Sequence, residues 1–269
     1  MRGSTKFLTD LASKGRYHFT TDDVCKALGI SAVAARAVLR RMKVRGEIAD
    51  PHRGFHVIVP PEYRRLGCLP PEQFMPHLME HLGEYYYVAL LSAAEFQGAA
   101  HQRPQTFQVM VRRNRRPLEC GEVRVQFVAR KDLDRTPTVE KHTHRGKLRI
   151  SSPEATSLEL VGYADQCGGL GNVSSVINEL VEVLDVSKLT EAAQRCPIAW
   201  VQRLGYLLDL TNHARVADPL VKHVQAHATV VAPLVRSQST ARARREERWK
   251  LAINASVEPD LLPPDIIPA

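Results

Sequence analysis

The fold of the N-terminal region is decided by residues 20–46, TTDDVCKALGISAVAARAVLRRMKVRG. Thr20 or Thr21 can cap a helix, and the two aspartates that follow lie in its first turn, where the helix dipole favours negative charge. Gly29 supplies a turn, and Ser31 caps a second helix. Two helices joined by a short turn that contains glycine predict a helix-turn-helix.

The second helix has one apolar face and one basic face. Its apolar positions recur every three or four residues and should face inward: Ala35, Val38, Leu39 and Met42. The opposite stripe carries Ser31, Val33, Arg36, Arg40 and Lys43. Such a helix fits the major groove of DNA, where arginine can bind a guanine edge through two hydrogen bonds and lysine can neutralise phosphate. The basic stripe is therefore a candidate DNA-recognition surface.

A β-hairpin is predicted directly after this helix. Residues 48–61, IADPHRGFHVIVPP, indicate a strand, a turn and a second strand, with His52 and Arg53 at the tip. A hairpin with arginine at its tip, after a helix-turn-helix, is typical of a wing that lies along the DNA backbone or in the minor groove. With a first helix over 4–14, the sequence predicts a winged helix-turn-helix domain over 1–60. A small helical domain with a solvated basic helix is the alternative.

Positive charge is concentrated in three segments of the 269-residue chain, whose formal net charge is +8. Residues 1–60 have a net charge of +6, residues 103–149 of +8 and residues 236–250 of +4, with negative segments between them. Two separated basic blocks and a basic tail segment favour a polyanionic partner such as nucleic acid. A basic surface without a function would give the same totals.

Prolines at positions 60, 61, 70 and 71 indicate a linker over 61–71, followed by a larger mixed α/β domain over 72–269. Helices are predicted in that domain at 74–82, 85–98, 153–166, 172–184, 189–195, 198–209 and 218–227, and strands at 106–111, 123–129, 138–143 and 147–151. The basic segment 236–250 is predicted to be helical. The expected fold class is α+β: an N-terminal winged helix-turn-helix and a larger mixed α/β domain.

Several other classes of protein are not indicated. No apolar run is long enough to cross a membrane, and no signal peptide is indicated. Five cysteines without a C-x-x-C motif are expected to be reduced thiols in a cytoplasmic protein. The paired histidines 77/81 and 223/227 lack a third ligand, and GGLGN at 168–172 does not match a phosphate-binding loop. We therefore expect no metal, no cofactor, no catalytic residue and no enzymatic activity.

With these segments placed, the chain resembles the AbiEi family of antitoxins from bacterial type IV toxin–antitoxin systems. The resemblance rests, after the N-terminal region, on YYVALLSAAEFQGAAHQRPQTFQVMV (86–111) and SPEATSLELV (152–161). It continues with GGL (168–170), RLGYLLDL (203–210) and WKLAINASVEPDL (249–261). These stretches span nearly the whole chain, and the first and last are long enough to be specific.

The resemblance implies two activities and places the chain in abortive infection, a phage defence. The N-terminal domain would bind inverted repeats in double-stranded promoter DNA and repress its own operon, as a monomer in solution with two copies on the operator. The C-terminal antitoxin domain would neutralise a cognate nucleotidyltransferase-like toxin, directly or indirectly. The family uses basic residues of both domains on DNA, and the matching positions are Arg36, Arg40, Arg41, Lys43 and Arg53, with Arg112, Arg113, Arg115 and Arg116 as weaker candidates.

Two other functions stay open at this point. The first is a winged-helix transcriptional repressor whose C-terminal domain senses a small ligand. The second is a degenerate nucleotidyltransferase or nuclease, against which stands the lack of clustered carboxylates in the sequence. The operator sequence, the toxin and the antitoxic residues do not follow from the sequence.

Overall fold

The computed structural model describes residues 2–99, 104–143 and 145–258. Contacts group the chain into two compact units. The N-terminal unit comprises Met1–Val88, Gln105–Leu133 and Glu140–Ile150, and the C-terminal unit comprises Ala89–Pro104, Asp134–Val139 and Ser151–Ala269. This grouping does not follow the boundaries expected at 60 and 71, and the division into 1–60, 61–71 and 72–269 stays a prediction. Within the described ranges, no helix has the length and apolar character needed to cross a membrane.

The chain begins with three helices and three short strands. They are α1 (Arg2–Ser13), β1 (His18–Thr20), α2 (Thr21–Leu28), α3 (Ala32–Val44), β2 (Ile48–His52) and β3 (Phe55–Ile58). The strands form an antiparallel sheet in the order β1-β3-β2. The three helices and the hairpin lie where the sequence analysis expects them, whereas β1 was not predicted.

Side-chain caps fix the turn between α2 and α3. The Thr20 hydroxyl accepts a hydrogen bond from the Asp23 amide at 3.2 Å, and the Asp23 carboxylate accepts one from the Thr20 amide at 2.8 Å. This reciprocal pair is a capping box. Gly29 then ends α2 with a φ of 63°, a left-handed conformation that costs glycine little. Ser31 caps α3 by accepting from the Ala34 amide at 3.3 Å.

A small apolar core holds these elements together. Phe7 of α1 meets Phe19 of β1 edge to face, with ring centroids 5.2 Å apart. The remaining buried members are Leu8, Val24, Ala35, Leu39, Met42, Ile48 and Ile58. Because α3 buries Ala35, Leu39 and Met42, its opposite stripe must face outward.

The N-terminal unit also contains most of a six-stranded sheet and helix α4 (Met75–His81). The strands are β4 (Tyr86–Val88), β5 (Phe107–Val111), β6 (Leu118–Cys120), β7 (Val123–Ala129), β8 (Thr138–Thr143) and β9 (Gly146–Ser151). Their order is β6-β7-β5-β4-β9-β8, with β5 parallel to β7 and β6 antiparallel to β7. The predicted strands over 106–111 and 123–129 are thus neighbours.

Helices dominate the C-terminal unit. They are α5 (Leu90–Phe96), α6 (Pro153–Gly162), α7 (Gly169–Leu180), α8 (Val186–Ala193), α9 (Ile198–Leu210) and α10 (Ala214–His227). A small sheet has the order β10-β12-β11, formed by β10 (Ala232–Pro233), β11 (Arg244–Glu246) and β12 (Leu251–Ile253). Two indoles lie against helix glycines: a Cβ on Gly205 would come within 2.1 Å of the Trp249 ring, and one on Gly162 within 2.2 Å of the Trp200 ring.

The mixture of helices and sheets confirms the predicted α+β class, but two segments were predicted wrongly. The single helix expected over 85–98 is strand β4 followed by α5, because a short, fully buried apolar run does not distinguish a strand from a helix. The helix expected over 236–250 consists of turns and β11, since its serines and threonine favour turns and Trp249 is buried. Residues 259–269 of the predicted C-terminal domain lie outside the described residues.

Candidate nucleic-acid interface

Five of the predicted DNA-binding residues line one groove of about 490 Å³ in the N-terminal unit. They are Arg36, Arg40, Lys43, His52 and Arg53. Thr21, Leu39, Asp50, Gly54 and His56 complete its lining. The groove lies between the basic stripe of α3 and the tip of the β2–β3 hairpin, so the fold joins the two features that the sequence singled out separately.

Three arginines of the groove keep their guanidinium groups free for a partner. Arg36, Arg40 and Arg53 are exposed. In the described part of the chain, no side-chain hydrogen bond or ion pair engages any of the three. Uncompensated cations along a concave surface create a positive potential that attracts a polyanion. This part of the groove is therefore suited to phosphate and base contacts.

Lys43 differs from these arginines because its charge is already paired. Its Nζ donates a hydrogen bond to Asp50 Oδ2 at 2.9 Å. Asp50 Oδ1 lies 2.7 Å from Nδ1 of the buried His56, whose Nε2 lies 3.0 Å from the Thr21 hydroxyl. This chain of contacts ties α3, β2, β3 and α2 together beneath the groove.

The pKa values of the pair show that both partners are charged at neutral pH. Burial opposes ionisation of Asp50, but hydrogen bonds with His56 and Lys43 outweigh it and hold the Asp50 pKa below its usual value. The pKa of Lys43 is raised, chiefly by its hydrogen bond to Asp50. A phosphate that binds Lys43 therefore has to compete with a carboxylate.

The two other predicted residues of the first basic block lie outside the groove lining. The Ser31 hydroxyl is used as the cap of α3, where it accepts the Ala34 amide. Arg41 is exposed but lies about 100° around the helix from Arg40. The groove thus contains only part of the predicted DNA-binding residues. Ser31 and Arg41 stay predictions that the geometry of the groove does not support.

The second basic block lines a neighbouring groove of about 440 Å³ in the same unit. Arg113, Arg115 and Arg116 contribute to it, together with His52 of the hairpin tip, while Arg112 is exposed and outside its lining. Arg115 is fully engaged: its Nε and Nη2 donate to the two carboxylate oxygens of Glu84 at 2.8 and 2.5 Å. These hydrogen bonds raise the pKa of Arg115 and lower that of Glu84.

The third basic segment, 236–250, is partly neutralised within the C-terminal unit. Arg248 Nε lies 2.9 Å from Asp209 Oδ2, and Arg248 Nη2 lies 2.5 Å from Asp218 Oδ1. Trp249 Nε1 donates to the same Asp209 oxygen at 2.7 Å. At least part of the positive charge of this segment therefore serves to hold β11 and β12 against α9 and α10.

The histidine pairs found in the sequence take part in ring contacts. His77 stacks on His18 with centroids 3.8 Å apart, and the rings of His223 and His227 are 4.4 Å apart. Within the described ranges, no group of three or more histidine, cysteine, aspartate or glutamate side chains is placed to hold a metal ion.

Sequence reasoning missed the acidic and neutral partners inside the first groove. Asp50, His56 and Thr21 come from three different elements, and their spacing in the chain gives no signal that they meet. Asp50 stands just before the hairpin tip, where an aspartate usually indicates only a turn. The partner of Arg115 was missed for the same reason, because Glu84 is 31 residues away.

Part of the chain matches a known domain family. Residues 87–210 match the AbiEi antitoxin C-terminal domain. The whole chain is similar in structure to the RV2827C protein from Mycobacterium tuberculosis, with a TM-score of 0.67 and 16% sequence identity over 93% of this chain and 91% of that chain. At this identity the likeness shows a shared fold. No curated protein matches the sequence.

The matched range contains most of the stretches that carry the resemblance noted from the sequence, namely 152–161, 168–170, 203–210 and nearly all of 86–111. The AbiEi antitoxins are not a known enzyme family. The domain match supports an antitoxin function in a toxin–antitoxin system, and residues 87–210 of this chain are similar to the C-terminal domain of the AbiEi antitoxins.

Proposed function

We propose that this chain represses its own operon by binding inverted repeats in the promoter, and that it neutralises a cognate nucleotidyltransferase-like toxin. The DNA-binding half rests on one observation: Arg36, Arg40 and Arg53 share a groove in which, among the described residues, none has a side-chain partner. An isolated domain gains nothing from keeping such cations together, whereas a polyanion offsets their repulsion.

In this proposal residues 1–60 act as a winged helix-turn-helix and 61–71 as its linker. Helix α3 enters the major groove, with Arg36 and Arg40 directed to base edges. The hairpin tip, with His52 and Arg53, contacts the sugar–phosphate backbone. Arg112, Arg113 and Arg116 extend the contact along the backbone. One monomer occupies each half of the inverted repeat, so two copies bind one operator.

The antitoxin half rests on the domain match over 87–210. The toxin would be encoded beside this gene, as the pairing of such genes in one operon implies. Neutralisation is assigned to the C-terminal region as a whole. The proposal keeps base recognition apart from the antitoxin region, because the residues of the groove beside α3 all precede the matched range, whereas the backbone contacts of Arg112, Arg113 and Arg116 lie within it.

A growth-rescue assay beside a promoter–reporter assay tests both halves. The double variant Arg36→Glu and Arg40→Glu, expressed from a foreign promoter, should lose repression of the native promoter and still rescue cells from the neighbouring toxin. Lys43 is left unchanged, because its reversal would place two carboxylates together at Asp50. The matched control is Lys6→Glu with Lys14→Glu, which makes the same change in net charge at two exposed positions, one in α1 and one directly after it.

Immunoblotting confirms equal protein levels in these strains. If the control variant loses repression as fully as the groove variant, net charge rather than the groove governs DNA binding. If a well-expressed groove variant fails to rescue growth, the two activities share a surface. If the wild-type chain gives no rescue from the neighbouring gene product, the antitoxin half is wrong.

A repressor that senses a small ligand remains the second candidate, because the C-terminal unit contains a cleft of about 350 Å³. Arg203 and Arg236 are among its lining residues. Arg203 is buried and donates to the carbonyl oxygens of Pro233 and Leu234. Metabolite-dependent release of the operator without any growth rescue would favour this function.

A further inference from the structure

Two cysteines that are far apart in the sequence face each other in the N-terminal unit. The Leu66 carbonyl accepts a hydrogen bond from the Glu122 amide at 2.8 Å. Next to this bond, Gly67 and Gly121 approach so closely that a Cβ on Gly121 would lie 2.8 Å from the Gly67 Cα. The two segments run in opposite directions, so the following pair in register is Cys68 and Cys120.

This register suits a covalent link. Directly opposed residues of antiparallel segments have Cα atoms about 4.5 or 5.5 Å apart. A disulfide requires a Cα separation of about 4.4–6.8 Å, so both registers satisfy it. The two thiols also lie close enough for each to shift the pKa of the other. Little backbone movement is needed to join the sulfur atoms.

The surroundings of the two thiols differ, and this difference assigns them separate chemical tasks. Cys120 is half-buried, and the groups that act on its thiol are Cys68, the backbone of Asp50 and the charge of Lys43. The hydrogen bond with Cys68, followed by the Asp50 backbone and the Lys43 charge, lowers the pKa of Cys120 against the opposing effect of burial. Cys68 is fully buried, and its hydrogen bond to Cys120 and its burial raise its pKa.

We propose that Cys68 and Cys120 are a redox modification site at which a peroxide converts the two thiols into a reversible disulfide. The Cys120 thiolate attacks a peroxide oxygen and breaks the O–O bond, giving a Cys120 sulfenic acid and, after protonation, water or an alcohol. The Cys68 sulfur then attacks the sulfenic sulfur, and the hydroxide that leaves takes the Cys68 proton to form water. Two thiols and one peroxide are consumed, and the peroxide accepts both electrons.

The site goes beyond the proposed function, since it needs neither DNA nor toxin. It also revises the expectation of five reduced thiols for this one pair only, Cys68 and Cys120. The disulfide would join the segment after β3 to the end of β6. Asp50, whose backbone touches Cys120, also holds Lys43 of the first groove.

Peptide mapping of the folded, full-length protein tests the proposal. Reduced protein is treated with hydrogen peroxide, free thiols are blocked with N-ethylmaleimide, and digests are analysed by mass spectrometry without reduction. The expected result is the loss of two reactive thiols, a linked peptide pair containing Cys68 and Cys120, and full reversal by dithiothreitol. Cys120 should react at least about fivefold faster than the similarly half-buried Cys25 and Cys196.

Three variants separate a redox pair from two thiols that merely pack together. Cys68→Ser should let the Cys120 sulfenic acid accumulate, which dimedone traps. Cys120→Ser should abolish both the linked peptides and the dimedone adduct at this site. Cys167→Ser, at a buried cysteine of the C-terminal unit, is the matched control and should leave the cross-link unchanged. Circular dichroism checks that each variant is folded. Folded protein in which Cys120 reacts no faster than Cys25, or in which the linked peptides do not form, would overturn the proposal.

Discussion

The two basic regions of the N-terminal unit contain the same residue type in different electrostatic situations. In the groove beside α3, the side chains of Arg36, Arg40 and Arg53 have no partner in the described part of the chain. In the segment 112–116, Arg115 donates two hydrogen bonds to Glu84, so its positive charge is paired with that carboxylate. A count of lysines and arginines treats the two regions as equal, and only the folded geometry separates them.

This difference indicates which arginines serve the fold and which are available to a partner. A paired arginine that is removed leaves a carboxylate without its counter-charge, so the loss should appear as reduced stability. An unpaired arginine at the surface contributes little to stability and keeps its full charge for a ligand. The two regions should therefore respond to the same substitution in different assays.

The largest effect is expected for Arg36→Ala or Arg40→Ala. Each should cost roughly 1–3 kcal/mol of operator affinity and relax specificity at one or two base pairs, because a bidentate guanine contact is lost. Fluorescence anisotropy at fixed salt, on the operator and on a scrambled duplex, measures both quantities. Equal losses on the two duplexes would reassign these arginines to phosphate contacts.

Next in size is the effect of Arg115→Ala, which should act on stability instead. Removal of the half-buried pair with Glu84 should lower the free energy of unfolding by about 1–2 kcal/mol. Arg116→Ala, in the same loop and exposed, is the control and should leave the unfolding midpoint unchanged. Urea denaturation followed by circular dichroism gives the values. An unchanged midpoint for Arg115→Ala would mean that the paired Arg115 contributes no more to stability than an unpaired arginine does.

A smaller, opposite effect is expected for Asp50→Asn. The amide keeps a hydrogen-bonding group beside Lys43 and His56 but removes the negative charge from the groove. Operator affinity should rise by roughly threefold, because phosphate no longer competes with a carboxylate for Lys43. The same anisotropy titration detects the change, provided that the variant melts as the wild type does. A loss of affinity would mean that the carboxylate positions Lys43 for DNA.

The smallest change should be seen for Arg113→Ala and Arg116→Ala. If each contacts one phosphate, each substitution should reduce the slope of log K against log salt by about 0.9. Affinities for the full-length protein at four or five salt concentrations give the slopes. Slopes identical to that of the wild type would restrict the DNA contact to the groove beside α3.

Much of the region around α2 and α3 was predictable because its signals are local. Thr20, Gly29 and Ser31 act on neighbours within four residues, and the buried face of α3 follows from helical spacing. The exposure of Arg36 and Arg40 on the opposite face of α3 followed from the same spacing. Lys43 was placed correctly on that stripe, but its pairing with Asp50 depends on the fold of the hairpin.

The features that could not be predicted depend on contacts between distant segments. Strand β4 is defined by its neighbours β5 and β9, since its own buried apolar sequence suits a helix equally well. Segment 236–250 has helix-forming arginines, but Arg248 and Trp249 are held by Asp209 of α9. The Cys68–Cys120 contact likewise requires Gly67 to meet Gly121. Local propensity carries no information about such partners.

The packing of Trp200 and Trp249 on Gly162 and Gly205 has an optical consequence. The sequence contains 2 tryptophans, and both belong to the C-terminal unit. Indole emission excited selectively therefore reports on that unit alone, and the N-terminal unit is silent in such a spectrum. With Trp249 only 1% exposed, its emission should lie toward the blue in the native state and shift to the red when α9 unfolds. One fluorescence experiment can thus follow unfolding of the C-terminal unit through its own tryptophans, while a labelled duplex tests DNA binding at the groove beside α3.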